Sequence, residues 1–482
     1  SDSPTTSPQP GATTPPRPDL APFYAQPLSW SACPDDEALC ATLTVPLDYR
    51  HPGGETIDLA LLKVPAADPN RRIGSLVVNP GGPGAPGTDY AASAAQVFRE
   101  PLLDAYDIVG FDPRGTGESD PVDCLSDDDL DAYLAGDPDP DTPQEVADYE
   151  GWVDALGRGC AERSGALAAH VTTIEAARDM DVLRAALGES TMTYFGASYG
   201  TKLGATYADL FPDRVGRLVL DGAVDLSISS RELSIEQAAG FETALRAYVS
   251  NCVEQTDGCF LGDTVDAGLD RIRAFIDSVD AHPLPAGGDR ELDVGNAFYG
   301  IVLPLYSRDY WTILSQALRI GFQGDGSVLL RLSDLYTSRG TDGYTDNSSE
   351  AIYVISCLDD PYAITADQVP ANLADFERAS PTFGSVFAWG LTTCGGIQVR
   401  STERPREVRA AGAAPIVVIG TTRDPATPYD WAVHLAHQLA SGVLISRDGD
   451  GHTGYNSGNE CVDEAVEDYL VDGTVPEDGL SC

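Results

Sequence analysis

Ser198 is the residue of this chain whose surroundings most clearly indicate chemistry. It is the centre of Gly-Ala-Ser-Tyr-Gly at 196–200, after a β-branched and aromatic run at 193–195 and before a helix-forming run at 201–207. A strand, a sharp turn and a helix in that order hold a serine in a strained backbone conformation, with its hydroxyl lifted above a sheet. The five-residue pattern also occurs by chance in ordinary turns, but this context predicts a nucleophile.

A serine hydroxyl is a weak nucleophile until a base removes its proton, so a histidine is required. His452 lies in the glycine-rich run 448–455, directly after the last predicted strand of the sheet, where a triad in the chain order Ser, acid, His places its base. His434 and His437 share an amphipathic helix and His51 lies in a Pro-Gly turn, and both settings are typical of surface histidines. We therefore predict that His452 is the general base.

The acid of such a triad is expected after the strand that ends at Gly420, one strand earlier in the chain than the strand before the base. Asp424 lies four residues past the apolar run 414–420 and would hold the imidazole of His452 in the right tautomer and stabilise the imidazolium. Asp430 is the alternative, although its position indicates the start of the next helix. We predict Asp424.

Two backbone N–H groups must bind the oxyanion of the reacting carbonyl. One is expected from Tyr199, the residue after the nucleophile, and the other from the glycine-rich loop 80–87, with Gly81 as the first choice and Gly82 as the second. The loop is not a phosphate-binding loop because no Gly-Lys-Ser/Thr follows it. The glycine turn at 112–119 is interpreted as structural support.

Hydrophobic patterns predict the elements that position these residues. Thr172 and Glu175 form a capping box at the start of a helix over 172–188. The hydrophobic pattern of 226–400 predicts mostly amphipathic helices, without alternation of strands and helices. We therefore predict a parallel α/β core that is split by a helical insertion. The predicted domains are a disordered tether at 1–28, the first core part at 29–225, a helical insertion at 226–400 and the second core part at 401–482. Strands are predicted at 41–46, 57–62, 73–79, 106–111, 193–195, 217–222, 414–420 and 442–446.

Composition limits the partners and the location of the chain. A formal net charge of −45 in 482 residues argues against nucleic acid and anionic membranes as partners. No apolar run is long enough for a transmembrane helix. The Pro-, Thr- and Ser-rich start indicates a tether exposed after removal of a signal peptide.

Ten cysteines fall in near-neighbour pairs, and no Cys-x-x-Cys or nearby histidine indicates a metal site. Disulfide bonds are therefore expected, which places the chain outside a reducing cytosol. The sequence leaves their connectivity open. The simplest proposal is Cys33–Cys40, Cys124–Cys160, Cys252–Cys259, Cys357–Cys394 and Cys461–Cys482.

Five motifs together resemble those of the secreted bacterial tripeptidyl aminopeptidases, which are α/β-hydrolases related to the proline iminopeptidases. The motifs lie at 79–84, 112–115, 196–200, 424–428 and 451–453. The resemblance covers nearly all of the chain after residue 30, but Pro80 stands where proline iminopeptidases have a histidine. It implies an α/β-hydrolase fold whose helical lid holds the α-ammonium of the substrate with carboxylates. The candidates for this role are Asp359, Asp360, Glu232 and Glu236.

The resulting hypothesis is a secreted or cell-surface serine exopeptidase that releases short N-terminal peptides through an acyl-enzyme. A carboxylesterase or amidase with the same triad is the alternative, and an inactive surface-binding protein on the same scaffold is a third hypothesis. We expect a peptide or a small ester or amide as substrate, no cofactor, no metal, no nucleic acid and a monomer. Lipid attachment at the N-terminus stays open.

Overall fold

The computed structural model describes residues 7–34 and 37–482, and a ten-stranded sheet forms the centre of this part of the chain. Two short antiparallel hairpins lie outside that sheet. The strands in chain order are β1 (Ser31–Ala32), β2 (Leu39–Pro46), β3 (Thr56–Val64), β4 (Gly74–Asn79), β5 (Tyr106–Phe111), β6 (Met192–Ala197), β7 (Val215–Asp221), β8 (Leu284–Pro285), β9 (Glu291–Leu292), β10 (Arg339–Gly340), β11 (Gly343–Tyr344), β12 (Ile416–Arg423), β13 (Gly442–Asp450) and β14 (Leu480–Ser481).

The central sheet runs in the order β1–β2–β3–β5–β4–β6–β7–β12–β13–β14. The pairings from β1 to β5 are antiparallel, whereas those from β5 to β14 are parallel. The carboxyl ends of β4, β6, β7, β12 and β13 therefore meet at one edge, which is where parallel α/β sheets bind their ligands. This arrangement confirms the predicted α/β-hydrolase fold with a mostly parallel sheet.

Helices cover both faces of the sheet and form the insertion between β7 and β12. Among the described residues, none of them combines the length and the apolar character that crossing a membrane requires. The α-helices are α1 (Ala21–Tyr24), α2 (Gly87–Ala92), α3 (Ala94–Val97), α4 (Glu100–Ala105), α5 (Asp127–Ala135), α6 (Pro143–Ser164), α7 (Thr173–Ala186), α8 (Tyr199–Leu210), α9 (Ser230–Val253), α10 (Val265–Ala281), α11 (Val294–Val302), α12 (Trp311–Phe322), α13 (Ser327–Thr337), α14 (Ser348–Asp359), α15 (Val369–Ala379), α16 (Gly384–Gly390), α17 (Thr393–Gly396), α18 (Tyr429–Gln438) and α19 (Glu460–Asp472). Short 3₁₀ helices lie at Pro18–Leu20, Leu167–Ala169, Pro212–Arg214, Leu303–Tyr306, Arg308–Tyr310 and Ala366–Gln368.

Successive side chains of the central strands enter two different cores, because side chains alternate between the faces of a sheet. Val77 and Tyr194 pack on the face that carries α7 and α8. Their neighbours Leu76 and Phe195 pack on the other face, with α4 and α19. Burial on both faces explains why the sequence shows continuous apolar runs here. The predicted capping box of Thr172 and Glu175 is present at the start of α7.

The helical insertion (residues 222–415) contains α9 to α17 and the two hairpins, and it matches the predicted helical character of 226–400. It has a hydrophobic core of its own that includes Leu245, Ile272 and Leu314. Helices α5 and α6, between β5 and α7, were not predicted. They belong to the same side of the molecule as the insertion, because Tyr149 of α6 packs edge-to-face on Trp389 of α16.

Residues 7–28 correct the prediction of a disordered tether at 1–28. Ala12, Leu20 and Tyr24 are buried. The Tyr24 hydroxyl donates a hydrogen bond to the carboxylate of Asp181, and the guanidinium of Arg184 donates one to the carbonyl oxygen of Ala12. These contacts offset the loss of conformational entropy that accompanies ordering of the segment. Its Pro- and Thr-rich composition gives no sign of such contacts. Residues 1–6 of that prediction lie outside the described residues.

The structure joins the cysteines in nearest-neighbour pairs, which is the simplest arrangement that the sequence allows. Each bond closes a loop of moderate length, and such cross-links restrict the unfolded chain. The pairs are Cys33–Cys40, Cys124–Cys160, Cys252–Cys259, Cys357–Cys394 and Cys461–Cys482.

Candidate active site

Ser198 lies at the sharp turn between β6 and α8. Its φ is 56° and its ψ is −123°, a conformation that is strained for a residue with a side chain. A Cβ on Gly196 would lie 2.4 Å from the carbonyl oxygen of Gly200, and one on Gly200 would lie 2.7 Å from that of Asn79. Both glycines are therefore required for the tight approach of β6, α8 and β4. The turn leaves the side chain of Ser198 at the wall of a large cavity.

The predicted oxyanion donors differ in their availability. Tyr199 is the first residue of α8, so its N–H has no acceptor within the helix, and it lines the cavity beside Ser198. The first choice for the second donor is wrong, because the N–H of Gly81 is donated to Oδ1 of Asn79 at 2.9 Å. Gly81 serves close packing instead, since a Cβ there would lie 3.0 Å from Cβ of Ser198. Gly82, the second choice, lines the cavity and stays the predicted second donor.

His452 and Asp424 meet at the carboxyl edge of the sheet, after β13 and β12. Nδ1 of His452 lies 2.9 Å from each carboxylate oxygen of Asp424. Asp424 is 2% exposed, and it accepts further hydrogen bonds from the N–H groups of Ala426, Thr427 and Thr453. A carboxylate fixed in this way can hold the imidazole in one tautomer, with Nε2 left to accept a proton.

The protonation of His452 is biased by its neighbours. Burial by itself lowers the pKa of His452, but the Asp424 carboxylate and its hydrogen bond outweigh burial, and the net effect is a raised pKa. Asp221 adds to the increase. A base must be neutral to accept the proton of Ser198, so activity should fall as the pH drops through this raised value.

The other acid and base candidates lie away from this group. Asp430 is exposed in the first turn of α18. Nδ1 of His434 lies 3.0 Å from Asp225, and His51 pairs with Asp48 on the surface. The loop 112–119 supports the fold as interpreted, since the buried Arg114 donates two hydrogen bonds to Asp179.

Thr427 contacts both Asp424 and His452, Tyr306 contacts His452, and neither was predicted. The Thr427 hydroxyl donates to Oδ2 of Asp424 at 3.0 Å and lies 3.2 Å from Nδ1 of His452. The carbonyl oxygen of Tyr306 accepts the N–H of His452, and its ring packs edge-to-face on the imidazole at 5.4 Å. The position of Thr427 three residues after the acid was a usable signal. Tyr306 lies in the helical insertion, and nothing in the local sequence links it to His452.

We expect Thr427→Ala to lower kcat by roughly 10- to 100-fold with little change in KM, because a small displacement of the Asp424–His452 pair has effects of that size. Steady-state kinetics on a chromogenic peptide substrate measure the change. Thr422→Ala is the matched control, since Thr422 is exposed at the end of β12 and bonds to Asp448. Wild-type kcat in Thr427→Ala would mean that the backbone donors alone orient Asp424.

The cavity in front of Ser198 has a volume of about 940 Å³. This lies near the upper end of the roughly 300–1,000 Å³ that small-molecule sites occupy. Its walls come from the core, from the helical insertion and from α5 and α6, with aromatic residues Tyr133, Tyr149 and Tyr353 among them. The cavity is therefore large enough for several residues of an extended substrate.

Two of the carboxylates predicted to hold an α-ammonium line this cavity, but both are engaged by the protein. Asp359 accepts the N–H of Thr173 at 2.9 Å and pairs with Nζ of Lys202 at 2.9 Å. Asp360 accepts the N–H and the hydroxyl of Ser230 and so fixes the start of α9. Their oxygens satisfy groups of the fold, which corrects the expectation that they are free to bind a substrate cation.

The other two predicted carboxylates are not part of the cavity wall, which receives Leu233, Ser234 and Gln237 from the same helix. Glu232 lies in the first turn of α9, where its N–H is capped by Ser229. Glu236 accepts the indole N–H of Trp431. The structure therefore places neither residue at the cavity: Glu232 lies at the capped start of α9, and the Glu236 carboxylate serves the contact of α9 with α18.

Acidic side chains from α6 and from the loop that precedes it form a different part of the wall. Asp137, Glu145 and Asp148 all line the cavity. Burial, followed by hydrogen bonds with Glu145 and Asp139, raises the pKa of Asp137 to about 9. Carboxylates that share a proton in this way favour a neighbouring cation.

One group of carboxylates among the described residues has oxygens close enough together to hold a metal ion. Oxygens of Asp137, Asp141, Glu145 and Asp280 all lie within 4.8 Å of one another. Acidic groups at a protein surface commonly have this spacing without a metal. The expectation of a metal-independent reaction stays a prediction.

Comparison with known proteins places the chain among related hydrolases. The family described as TAP-like protein matches residues 380–482. Serine protease Hip1 of Mycobacterium tuberculosis is 37% identical over 486 aligned residues, which cover 96% of this chain and 92% of that protein. Carboxylesterase B of the same species is 39% identical and covers 96% of this chain and 91% of its own length. Tripeptidyl aminopeptidase of Streptomyces coelicolor is 31% identical, with 94% and 86% covered.

Proposed function

We propose that this chain, which belongs to the tripeptidyl aminopeptidase family of α/β-hydrolase enzymes, is an exopeptidase that removes short peptides from the N-termini of its substrates. One observation carries the proposal. Ser198 lies at the wall of a cavity that is also lined by the carboxylates of Asp137, in the loop between α5 and α6, and of Glu145 and Asp148 in α6. A nucleophile and an anionic wall in one cavity suit a peptide with a free α-ammonium.

The reaction begins with attack of Ser198 Oγ on the scissile carbonyl carbon. The proton of the hydroxyl passes to Nε2 of His452, while Asp424 stabilises the imidazolium that forms. The N–H groups of Tyr199 and Gly82 bind the oxygen as it becomes an anion. The imidazolium then gives its proton to the leaving amine, and the C–N bond breaks to leave an ester on Ser198. A water molecule, deprotonated by His452, hydrolyses that ester and restores the hydroxyl.

The anionic wall accounts for a preference for free N-termini. An α-ammonium beside Asp137 and Glu145 displaces the shared proton and gains charge-assisted hydrogen bonds. A blocked N-terminus has neither the charge nor the donors. Because the α-ammonium is held at this wall and the scissile bond at Ser198, the distance between the two limits the length of the peptide that is released.

We expect Asp137→Asn to lower kcat/KM for tripeptide anilides with a free N-terminus by roughly 10-fold or more, since hydrogen bonds to charged groups contribute on that scale. For the same anilides with an acetylated N-terminus, the variant and the wild type should agree within about twofold. Asp129→Asn is the control, because Asp129 is exposed on α5 outside the cavity. Faster cleavage of the acetylated substrates by the wild type would remove the exopeptidase proposal.

A carboxylesterase remains the second candidate, because Carboxylesterase B is among the most similar relatives. The triad chemistry is the same for esters and amides, so the substrate alone distinguishes the two. Simple p-nitrophenyl esters and peptide anilides, compared by kcat/KM, separate them. A preference for simple esters over every peptide tested would favour the esterase.

The location of the enzyme is also a proposal. Five disulfide bonds between neighbouring cysteines are typical of proteins that work in an oxidising environment. We place the enzyme outside the reducing cytosol, secreted or at the cell surface. Its strongly negative charge of −45 suits a soluble extracellular enzyme.

A further inference from the structure

A buried carboxylate connects the segment that carries the nucleophile with the segment that carries the base. Asp221 is the last residue of β7 and is 1% exposed. Its carbonyl oxygen accepts the N–H of Ser198 at 2.9 Å. Its carboxylate oxygens accept the N–H groups of Gly454 and Tyr455, each at 2.8 Å. These two residues follow His452 by two and three positions, so one residue fixes both segments.

The loop after His452 has a strained backbone that requires stabilising contacts. Thr453 and Asn456 have φ angles of 71° and 57°, in the left-handed region that residues other than glycine rarely adopt. These conformations persist only where the surrounding contacts determine them. The two N–H groups held by Asp221 lie between Thr453 and Asn456 in sequence. The Asp221 carboxylate therefore stabilises the middle of this turn, while Asp424 and Asp463 accept the N–H groups of Thr453 and Asn456.

The residue after Asp221 also defines the position of the imidazole. A Cβ on Gly222 would lie 3.3 Å from Cε1 of His452 and 3.2 Å from Cγ2 of Thr453. The backbone directly after β7 thus packs against the ring of His452. A displacement of this strand end would move the nucleophile and the base relative to each other.

We propose that Asp221 is a positioning residue for the reaction: its backbone fixes Ser198 and its ionised carboxylate fixes the loop of His452 and stabilises the imidazolium. This inference rests on the proposed triad of Ser198, His452 and Asp424.

The charged and titratable groups around Asp221 support the electrostatic part of the inference. His452, Asp424, Arg447 and Tyr90 are the neighbours with which its charge interacts. Burial raises the pKa of Asp221 to about 6 against the lowering effect of the N–H groups of Tyr455 and Gly454. Above that pH the carboxylate is ionised, and its charge raises the pKa of His452. Removing the charge should therefore lower the pKa of the base.

Asp221→Asn tests the inference because it keeps the shape of the side chain but replaces one acceptor oxygen with an amide donor. We expect kcat to fall by roughly 10- to 100-fold with little change in KM, as a misplaced catalytic group predicts. The acid limb of the kcat/KM profile should also move to lower pH. The matched control is Asp107→Asn in β5, a buried carboxylate that accepts the N–H of Ala66 far from the cavity. It should change neither quantity.

Wild-type kcat with an unmoved acid limb in Asp221→Asn would overturn the inference. A lower kcat with an unmoved acid limb would also overturn it, because a purely structural role of Asp221 predicts that result. If the variant does not fold, hydrogen exchange of the wild type over 451–457 replaces it. Protection there should fall below pH 6 relative to the rest of the sheet, and unchanged protection would overturn the inference. An active Ser198→Ala variant would instead contradict the proposed function.

Discussion

Replacing Ser198 by alanine is expected to lower kcat by roughly 10⁴- to 10⁶-fold, the range seen when the nucleophile of a serine triad is removed. The loss follows because the acyl-enzyme of the proposed mechanism forms on the hydroxyl of Ser198, which alanine lacks. Kinetics on a tripeptide anilide measure it, with active-site titration to exclude traces of wild-type enzyme. Folding should be nearly unchanged, since alanine meets the same steric cost at φ 56° as serine.

Ser356→Ala is the matched control for this variant. Ser356 lines the same cavity from α14, so its substitution tests whether any serine near the substrate matters. We expect its kcat to stay within about threefold of the wild type, because it removes at most one hydrogen bond to substrate. If Ser198→Ala kept more than a tenth of the wild-type activity, the acyl-enzyme mechanism would be untenable.

Asp424→Asn should lower kcat by roughly 10³- to 10⁴-fold, as it does when the acid of a comparable triad becomes an amide. Oδ1 of Asp424 accepts the N–H groups of Ala426 and Thr427, so the amide NH₂ of an asparagine would take the place of Oδ2. There it would donate to Nδ1 of His452 and leave the proton on Nε2. The base could then no longer accept the proton of Ser198.

The pH dependence of Asp424→Asn provides a second measurement. Without the carboxylate the pKa of His452 loses the influence that raises it, so the acid limb of kcat/KM should move to lower pH. Asp430→Asn is the control and should match the wild type, because that carboxylate is exposed on α18. A wild-type rate in Asp424→Asn together with a loss in Asp430→Asn would reassign the acid.

The positions of Ser198, Asp424 and His452 at one edge of the sheet were predictable because their chain order follows from the order of the strands. Ser198, Asp424 and His452 each follow a strongly apolar run, and parallel strands bring such ends together. The same local patterns predicted the capping box of α7. These features depend on residues close in sequence, which is why they can be inferred without a structure.

The misassigned residues depend on contacts that no local pattern records. Gly81 was preferred as an oxyanion donor because the sequence does not show whether its N–H is available. The structure shows that the side chain of Asn79 accepts this N–H. The substrate carboxylates could not be chosen among 75 acidic residues, since only the fold shows that Lys202 pairs with Asp359. Helices α5 and α6 were unpredicted, so the acidic wall formed by α6 and the loop that precedes it was missed. The buried N-terminal segment was mistaken for a tether because its composition resembles that of disordered chains.

The most direct test of the account is covalent labelling of the enzyme with a fluorophosphonate, followed by mass spectrometry of the intact chain and of its peptides. We expect one adduct per chain on the peptide that contains Ser198, labelling that is much slower in Asp424→Asn, and protection by a tripeptide with a free N-terminus. Absence of an adduct, or an adduct on another residue, would contradict the central role of Ser198.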